Sequence, residues 1–160
     1  MEEKIKNASI LVVDDEEIVL KSIKSYFALE TEYRVLDFLS PVDALTFLKD
    51  QPIDLVISDY LMPEMNGIDF LLKVRELYPV ATRIMLTAYA DKENAIRAIN
   101  EVGLFQYIEK PWDNEQLKMI IFNGLERRFL IKELEETVRN FETSQGQLRT
   151  IQNRILKAFA

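Results

Sequence analysis

The chain contains no cysteine and no histidine among its 160 residues. Without cysteine there is no disulfide and no thiolate chemistry. Without either residue, the usual zinc sites, the Ser/His and Cys/His nucleophile systems and a phosphohistidine on the chain itself are excluded. Any metal must then be a hard cation held by oxygen. Long apolar runs are missing too. No segment is long enough to span a bilayer, and the start "MEEKIKNAS" lacks the apolar core of a signal peptide. The expected location is the cytoplasm, with no membrane contact. Positive charge is scarce: 20 Lys and Arg against 27 Asp and Glu give a net charge of −7 at pH 7. No Lys/Arg-rich stripe occurs, which disfavours direct binding to nucleic acid or an anionic membrane.

What remains is 48% hydrophobic and 29% charged, the composition of a globular chain able to build a core without staples. Its length suits one domain plus an appendage. "SILVV" at Ser9–Val13 is a short, mostly β-branched run, and apolar residues then recur at helical spacing from Glu16 to about Leu29. "YRVLDFL" at 33–39 reads as a second strand. Ser40-Pro41 opens a helix, with Ser as N-cap and Pro at the first helical position. "IDLVIS" at 53–58 is a near-continuous apolar strand ending at Asp59. Pro63 and Asn66-Gly67 mark a turn, followed by a helix over 68–77. The strand "TRIMLT" at Thr82–Thr87 comes next. Asp91 can cap a helix to about Val102, and "LFQYIE" at 104–109 is a fifth strand. Lys110-Pro111 breaks it, and a last helix begins near Asp113.

Five strands thus alternate with five helices. This order predicts an α/β fold with a parallel sheet covered on both faces, which explains why the strands are solid apolar runs. Ligand sites in such sheets form at the carboxyl ends of the strands. Asp14 and Asp15 follow strand one, Asp59 follows strand three, Thr87 ends strand four and Lys110 follows strand five. Three converging carboxylates repel one another unless a cation joins them, and Mg²⁺ suits an all-oxygen set. Lys110 adds a second positive centre, and Thr87 a hydroxyl able to donate to an oxyanion. Such an inventory fits phosphoryl transfer to a carboxylate nucleophile. Glu16 and Glu17 read as acidic residues at a helix start, complementing its macrodipole.

"LVVDD", "ISDYLMPEMNG", "LTAYA" and "YIEKPW" occur in one order and at one spacing. In them the chain resembles the CheY-like receiver domain of two-component response regulators, from Ile10 to about Leu125. The resemblance implies a flavodoxin-like, doubly wound fold with Asp59 as phosphoacceptor. Asp15 and Asp59 would be direct Mg²⁺ ligands, Asp14 would act through water, and the main-chain carbonyl of Leu61 would add another ligand. Thr87 and Lys110 would bind phosphoryl oxygens, and Tyr107 would be the aromatic switch whose rotamer follows Thr87. The Lys110-Pro111 bond is expected to be cis, a state essentially confined to proline. The donor would be a partner histidine kinase or a histidine phosphotransfer protein, since the chain has no histidine. Such a receiver modifies itself but is not an enzyme acting on other substrates. Leu61 and Tyr89 flank the path of the attacking water in this family. Neither side chain can readily orient water, so a slowly hydrolysing acyl phosphate is expected.

Two other readings compete. A phosphorelay intermediate would pass phosphoryl onward from Asp59 to a histidine phosphotransfer protein. An Asp-nucleophile phosphohydrolase would place its nucleophile on the first strand with another Asp two residues on, where this chain has Glu16.

No proline follows Pro111, so one long helix is expected to run to about Phe159. Residues 1–125 are taken as the receiver and 126–160 as a helical extension. Apolar residues recur at Leu134, Phe141, Leu148 and Ile155, which serve as d positions; Ile131, Val138, Gln145, Gln152 and Phe159 are then a. Gly146 falls at b, facing solvent. The pattern predicts a parallel coiled-coil homodimer through 131–159.

Overall fold

The computed structural model describes residues 2–88 and 91–158. Five parallel strands run β1 (Ser9–Val13), β2 (Arg34–Phe38), β3 (Leu55–Asp59), β4 (Thr82–Thr87) and β5 (Gln106–Glu109). They are ordered β2-β1-β3-β4-β5, as a doubly wound sheet requires. The helices are α1 (Glu2–Lys6), α2 (Glu17–Glu30), α3 (Pro41–Leu48), α4 (Gly67–Leu77), α5 (Lys92–Ala98) and α6 (Asn114–Ala158).

Alternation along each strand feeds two cores. Ile10, Val12, Leu55, Ile57, Ile84 and Leu86 point to one face, where Leu20, Ile23 and Phe27 of α2 and Leu117, Ile121 and Leu125 of α6 cover them. Leu11, Val13, Val56 and Met85 point to the other, under Ala44 and Leu48 of α3 and Phe70, Leu71 and Val74 of α4. Both faces are covered over the central strands β1, β3 and β4, while the edge strands β2 and β5 keep exposed polar residues such as Arg34, Asp37 and Gln106.

Helix starts follow local chemistry. Ser40 accepts a hydrogen bond from the Asp43 N–H at 3.3 Å, Asn66 from Asp69 at 2.9 Å and Asp113 from Gln116 at 3.0 Å. Asn66 is therefore the cap of α4 and Gly67 its first residue, rather than the centre of a free turn. Glu16 sits at the start of α2 with no side-chain cap; the Asp14 carboxylate receives its N–H instead, at 2.9 Å.

Two elements differ from expectation. The short helix α1 is held by Ile5, buried in the α2/α6 core. The helix after Asp91 ends in a π turn, Ile99–Gly103, so Leu104 and Phe105 precede β5 instead of opening it. Gly103, at φ 66°, adopts the left-handed conformation that favours glycine.

The chain divides into two compact units, Met1–Phe129 and Leu130–Ala160. Within the first, α6 is fixed to the amino ends of the strands. Thr82 donates its hydroxyl to the Gly124 carbonyl at 2.7 Å, and Arg128 pairs with Asp54 at 3.2 Å. A Cβ on Gly124 would crowd Thr82 and Phe105. In the second unit the described residues form helix up to Ala158, with Leu134, Val138, Phe141, Leu148 and Ile155 all exposed. Phe159 lies outside the described residues.

Candidate functional site

The carboxyl edge of the sheet is held together by main-chain bonds that continue past the strands. The Asp14 N–H donates to the Phe38 carbonyl at 3.2 Å, Tyr60 N–H to Leu86 at 3.0 Å and Lys110 N–H to Thr87 at 2.8 Å. Each residue that leaves a strand here is thereby tied to the neighbouring strand, and side chains from 96 residues apart meet.

The Lys110 ammonium lies 2.8 Å from Asp14 Oδ2 and 3.2 Å from Asp59 Oδ1. Asp14 is fully buried, and Asp59 is 7% exposed. One oxygen from each of Asp14, Asp15 and Asp59 lies within 4.8 Å of the others. Asp15 is the solvent-facing member of this set. Burial, and then the charge of Asp14, push the Asp59 carboxyl from 3.8 up to about 6, against the opposing pull of Lys110 and the Tyr60 N–H. For Lys110, burial acts to lower its pKa. The hydrogen bond and charge of Asp14, then those of Asp59, prevail and hold it above its ordinary value.

Thr87 is fully buried at the end of β4, and its hydroxyl has no hydrogen-bond partner among the described residues. A buried hydroxyl without a partner is costly and calls for an explanation. Two carboxylates sharing one lysine, a third close to them, and an unspent hydroxyl at the end of β4 suit a divalent cation together with an anion bearing several oxygens. Residues 10–122 match the family model described as the response regulator receiver domain.

The chain belongs to the response regulator receiver family. This receiver is 35% identical over 144 residues to the hydrogenase transcriptional regulatory protein HoxA of Cupriavidus necator, covering 90% of this chain and 30% of that protein. It is 33% identical over 135 residues to the regulatory protein AtoC of Escherichia coli, covering 84% of this chain and 29% of that protein. It therefore spans less than a third of the length of these two relatives. Among solved structures it resembles a response regulator receiver domain protein from Clostridium thermocellum, with a TM-score of 0.72 and 35% identity over 78% of this chain and 98% of that one. Residues 10–122 thus form the receiver module of response regulators.

The receiver fold brings Asp14, Asp15, Asp59, Thr87 and Lys110 to one edge. Tyr107 is half-buried on β5, paired in register with Met85 and packed against the α3/α4 core. Leu61 lies in the loop after Asp59 with its side chain 58% exposed. Tyr89 lies outside the described residues. The Lys110-Pro111 bond is cis.

Gly67 belongs to the site in a way its place in "MNG" does not disclose. Its N–H donates to the Tyr60 carbonyl at 2.7 Å, and a Cβ there would overlap the Asp59 carbonyl oxygen. Glycine is needed so that α4 can start against the main chain of Asp59. Ser58 adds a second tie, its hydroxyl donating to the Asp59 carbonyl at 2.9 Å. In the same loop Glu64 takes a left-handed φ of 73°, and its carboxylate accepts from the Ser40 hydroxyl at 3.3 Å. Only positions in space reveal these roles.

Proposed function

We propose that Asp59 accepts a phosphoryl group from the phosphohistidine of a partner histidine kinase or histidine phosphotransfer protein. The observation that carries this reading is the Lys110 ammonium placed between Asp14 and Asp59, on the sheet edge where Thr87 ends β4 with a hydroxyl that has no partner among the described residues. An Asp59 carboxylate oxygen attacks phosphorus. The O–P bond forms as the donor's N–P bond breaks, and that electron pair stays on the imidazole nitrogen. With its pKa at about 6, Asp59 is mostly ionised at neutral pH and so remains nucleophilic. Lys110 meets the oxygens of the transferred group, and the Thr87 hydroxyl gains an acceptor. Asp14, Asp15 and Asp59, with the Leu61 main-chain carbonyl, would hold Mg²⁺, Asp14 acting through water. When bound, the cation neutralises charge on the transferring oxygens.

Thr87 and Tyr107 then report the phosphorylated state to β4, β5 and their helices. The chain modifies itself and turns over no other substrate. Residues 1–125 act as the receiver and 126–160 as a signalling helix, which pairs as a parallel homodimer through 131–159. The named relatives regulate transcription, and this receiver is proposed to control an output of that kind through a partner or an attached module, without touching nucleic acid itself. No described helix is long and apolar enough to cross a membrane, and the proposed working place is the cytoplasm.

Trp112, the chain's only tryptophan, stands two residues after Lys110 and bonds Asn114 at 3.1 Å. Its fluorescence should change on adding Mg²⁺ and again on adding a phosphoryl mimic such as beryllium fluoride. Both responses should disappear in Asp59→Asn. A flat titration in the wild type would remove the site assignment.

A further inference from the structure

The helical unit beyond Phe129 carries two amides, Gln145 and Gln152, inside an otherwise apolar a/d stripe. We propose that these two layers are what the tail uses to choose its partner: a second copy of the same chain, parallel and in register. The inference rests on the parallel-pairing reading above and adds what determines it.

The stripe is wet along its length, with Leu134 and Phe141 64% exposed, Leu148 53% and Ile155 50%. A face of this kind is covered by another helix in a coiled coil. The question is which helix, and in which direction. In a parallel pair each a residue faces the same a residue of its partner. Gln145 then meets Gln145 and Gln152 meets Gln152, and each amide can both donate and accept across the seam. In an antiparallel pair a faces d. All four d residues, Leu134, Phe141, Leu148 and Ile155, are apolar. Every antiparallel register therefore leaves both amides against hydrocarbon, their hydrogen bonds unmade.

The flanking charges do not decide the direction. In the parallel arrangement each g residue meets the following e residue of the other chain. These pairs are Leu130 with Glu135, Thr137 with Glu142, Ser144 with Arg149 and Ile151 with Leu156. No like charges meet. In the fully overlapped antiparallel register, Glu142 opposes its own copy, while Glu135 meets Arg149 at two symmetric places. A contrary pull exists, because the acidic Glu133 and Glu136 precede the basic Arg154 and Lys157. Those four occupy c and f positions outside the seam, where water and salt screen them. Solvent-exposed ion pairs at the rim contribute little, so discrimination falls to the buried amides, and a self-complementary amide layer selects an identical chain.

The absence of cysteine makes the test direct. Leu148→Cys in the full chain should oxidise to a covalent dimer, because parallel pairing sets position 148 against itself. Leu134→Cys, at an upstream d layer, repeats the test if the first substitution weakens the helix. Mixing Val138→Cys with Leu148→Cys chains should give only the two like-with-like products. In a Gln145→Leu/Gln152→Leu background the mixed 138–148 product should appear, because orientation is no longer fixed. The proposal is overturned if the mixed product dominates with both Gln present, or if replacing them leaves the product pattern unchanged. A wild-type chain that sediments as a monomer at high micromolar concentration would remove the pairing reading itself.

Discussion

Replacing Asp59 by Asn keeps the shape of the side chain and removes its charge, so it measures what the crowded carboxylates cost the fold. The Asp59 pKa rises from 3.8 to about 6, chiefly through burial and then through Asp14. Its folded-state value thus lies above its unfolded value. The protonated form is the one the fold favours, and this contribution is complete below about pH 4 and lost as pH rises through about 6. At about 1.4 kcal/mol per pKa unit, the shift sets an upper bound of about 3 kcal/mol of destabilisation carried by the charged group at neutral pH. The Asn variant has no such titration. In chemical denaturation with chelator present, it should be more stable than wild type by up to about 3 kcal/mol at neutral pH, and the two should converge near pH 4. Adding Mg²⁺ should stabilise the wild type through binding and the variant less, narrowing the gap. Equal stability of the two proteins across this pH range, with chelator present, would refute the reasoning.

Three further outcomes are expected. Thr87→Val removes a buried hydroxyl that has no partner, so stability should hold or rise by about 1 kcal/mol while the Trp112 response to the phosphoryl mimic is lost; a large drop in the melting temperature would show that the hydroxyl was already bonded. Gly67→Ala drives a methyl into the Asp59 carbonyl and should cost about 3 kcal/mol or more in denaturant titration, together with a slower phosphorylation rate; wild-type values for both would mean the approach is not close. Leu61 and Tyr89, two residues past Asp59 and Thr87 in the sequence, are neither acidic nor amide-bearing, so the acyl phosphate should persist for minutes or longer when followed by radiolabel, and a lifetime of seconds would contradict that reading.

The order of strands and helices was legible because a parallel sheet buried on both faces must be written as solid apolar runs. "SILVV" and "TRIMLT" coincide with β1 and β4 at both ends. The candidate site was legible because four of the five strands place chemically distinctive residues at their carboxyl ends. What escaped depends on tertiary contact. Helix α1 is a single short turn stabilised by burying Ile5, and no periodicity can develop over so few residues. The π turn before Gly103 shifts a helical register by one residue. Arg83, which donates to the Gly103 carbonyl at 3.3 Å, meets it only in the fold. Asn66-Gly67 looked like turn chemistry, yet the glycine is demanded by an approach to Asp59, and spacing carries no sign of that. The sharing of Lys110 between Asp14 and Asp59 likewise emerges only when strands far apart in the chain are set side by side.

The most direct test of the account is intact-mass spectrometry after incubation with a small-molecule phosphoryl donor and Mg²⁺, followed by reductive trapping and peptide mapping. The account predicts one phosphoryl group per chain, located on Asp59, dependent on the divalent cation and absent from Asp59→Asn. Persistence of the adduct in Asp59→Asn, or its location on another residue, would contradict it.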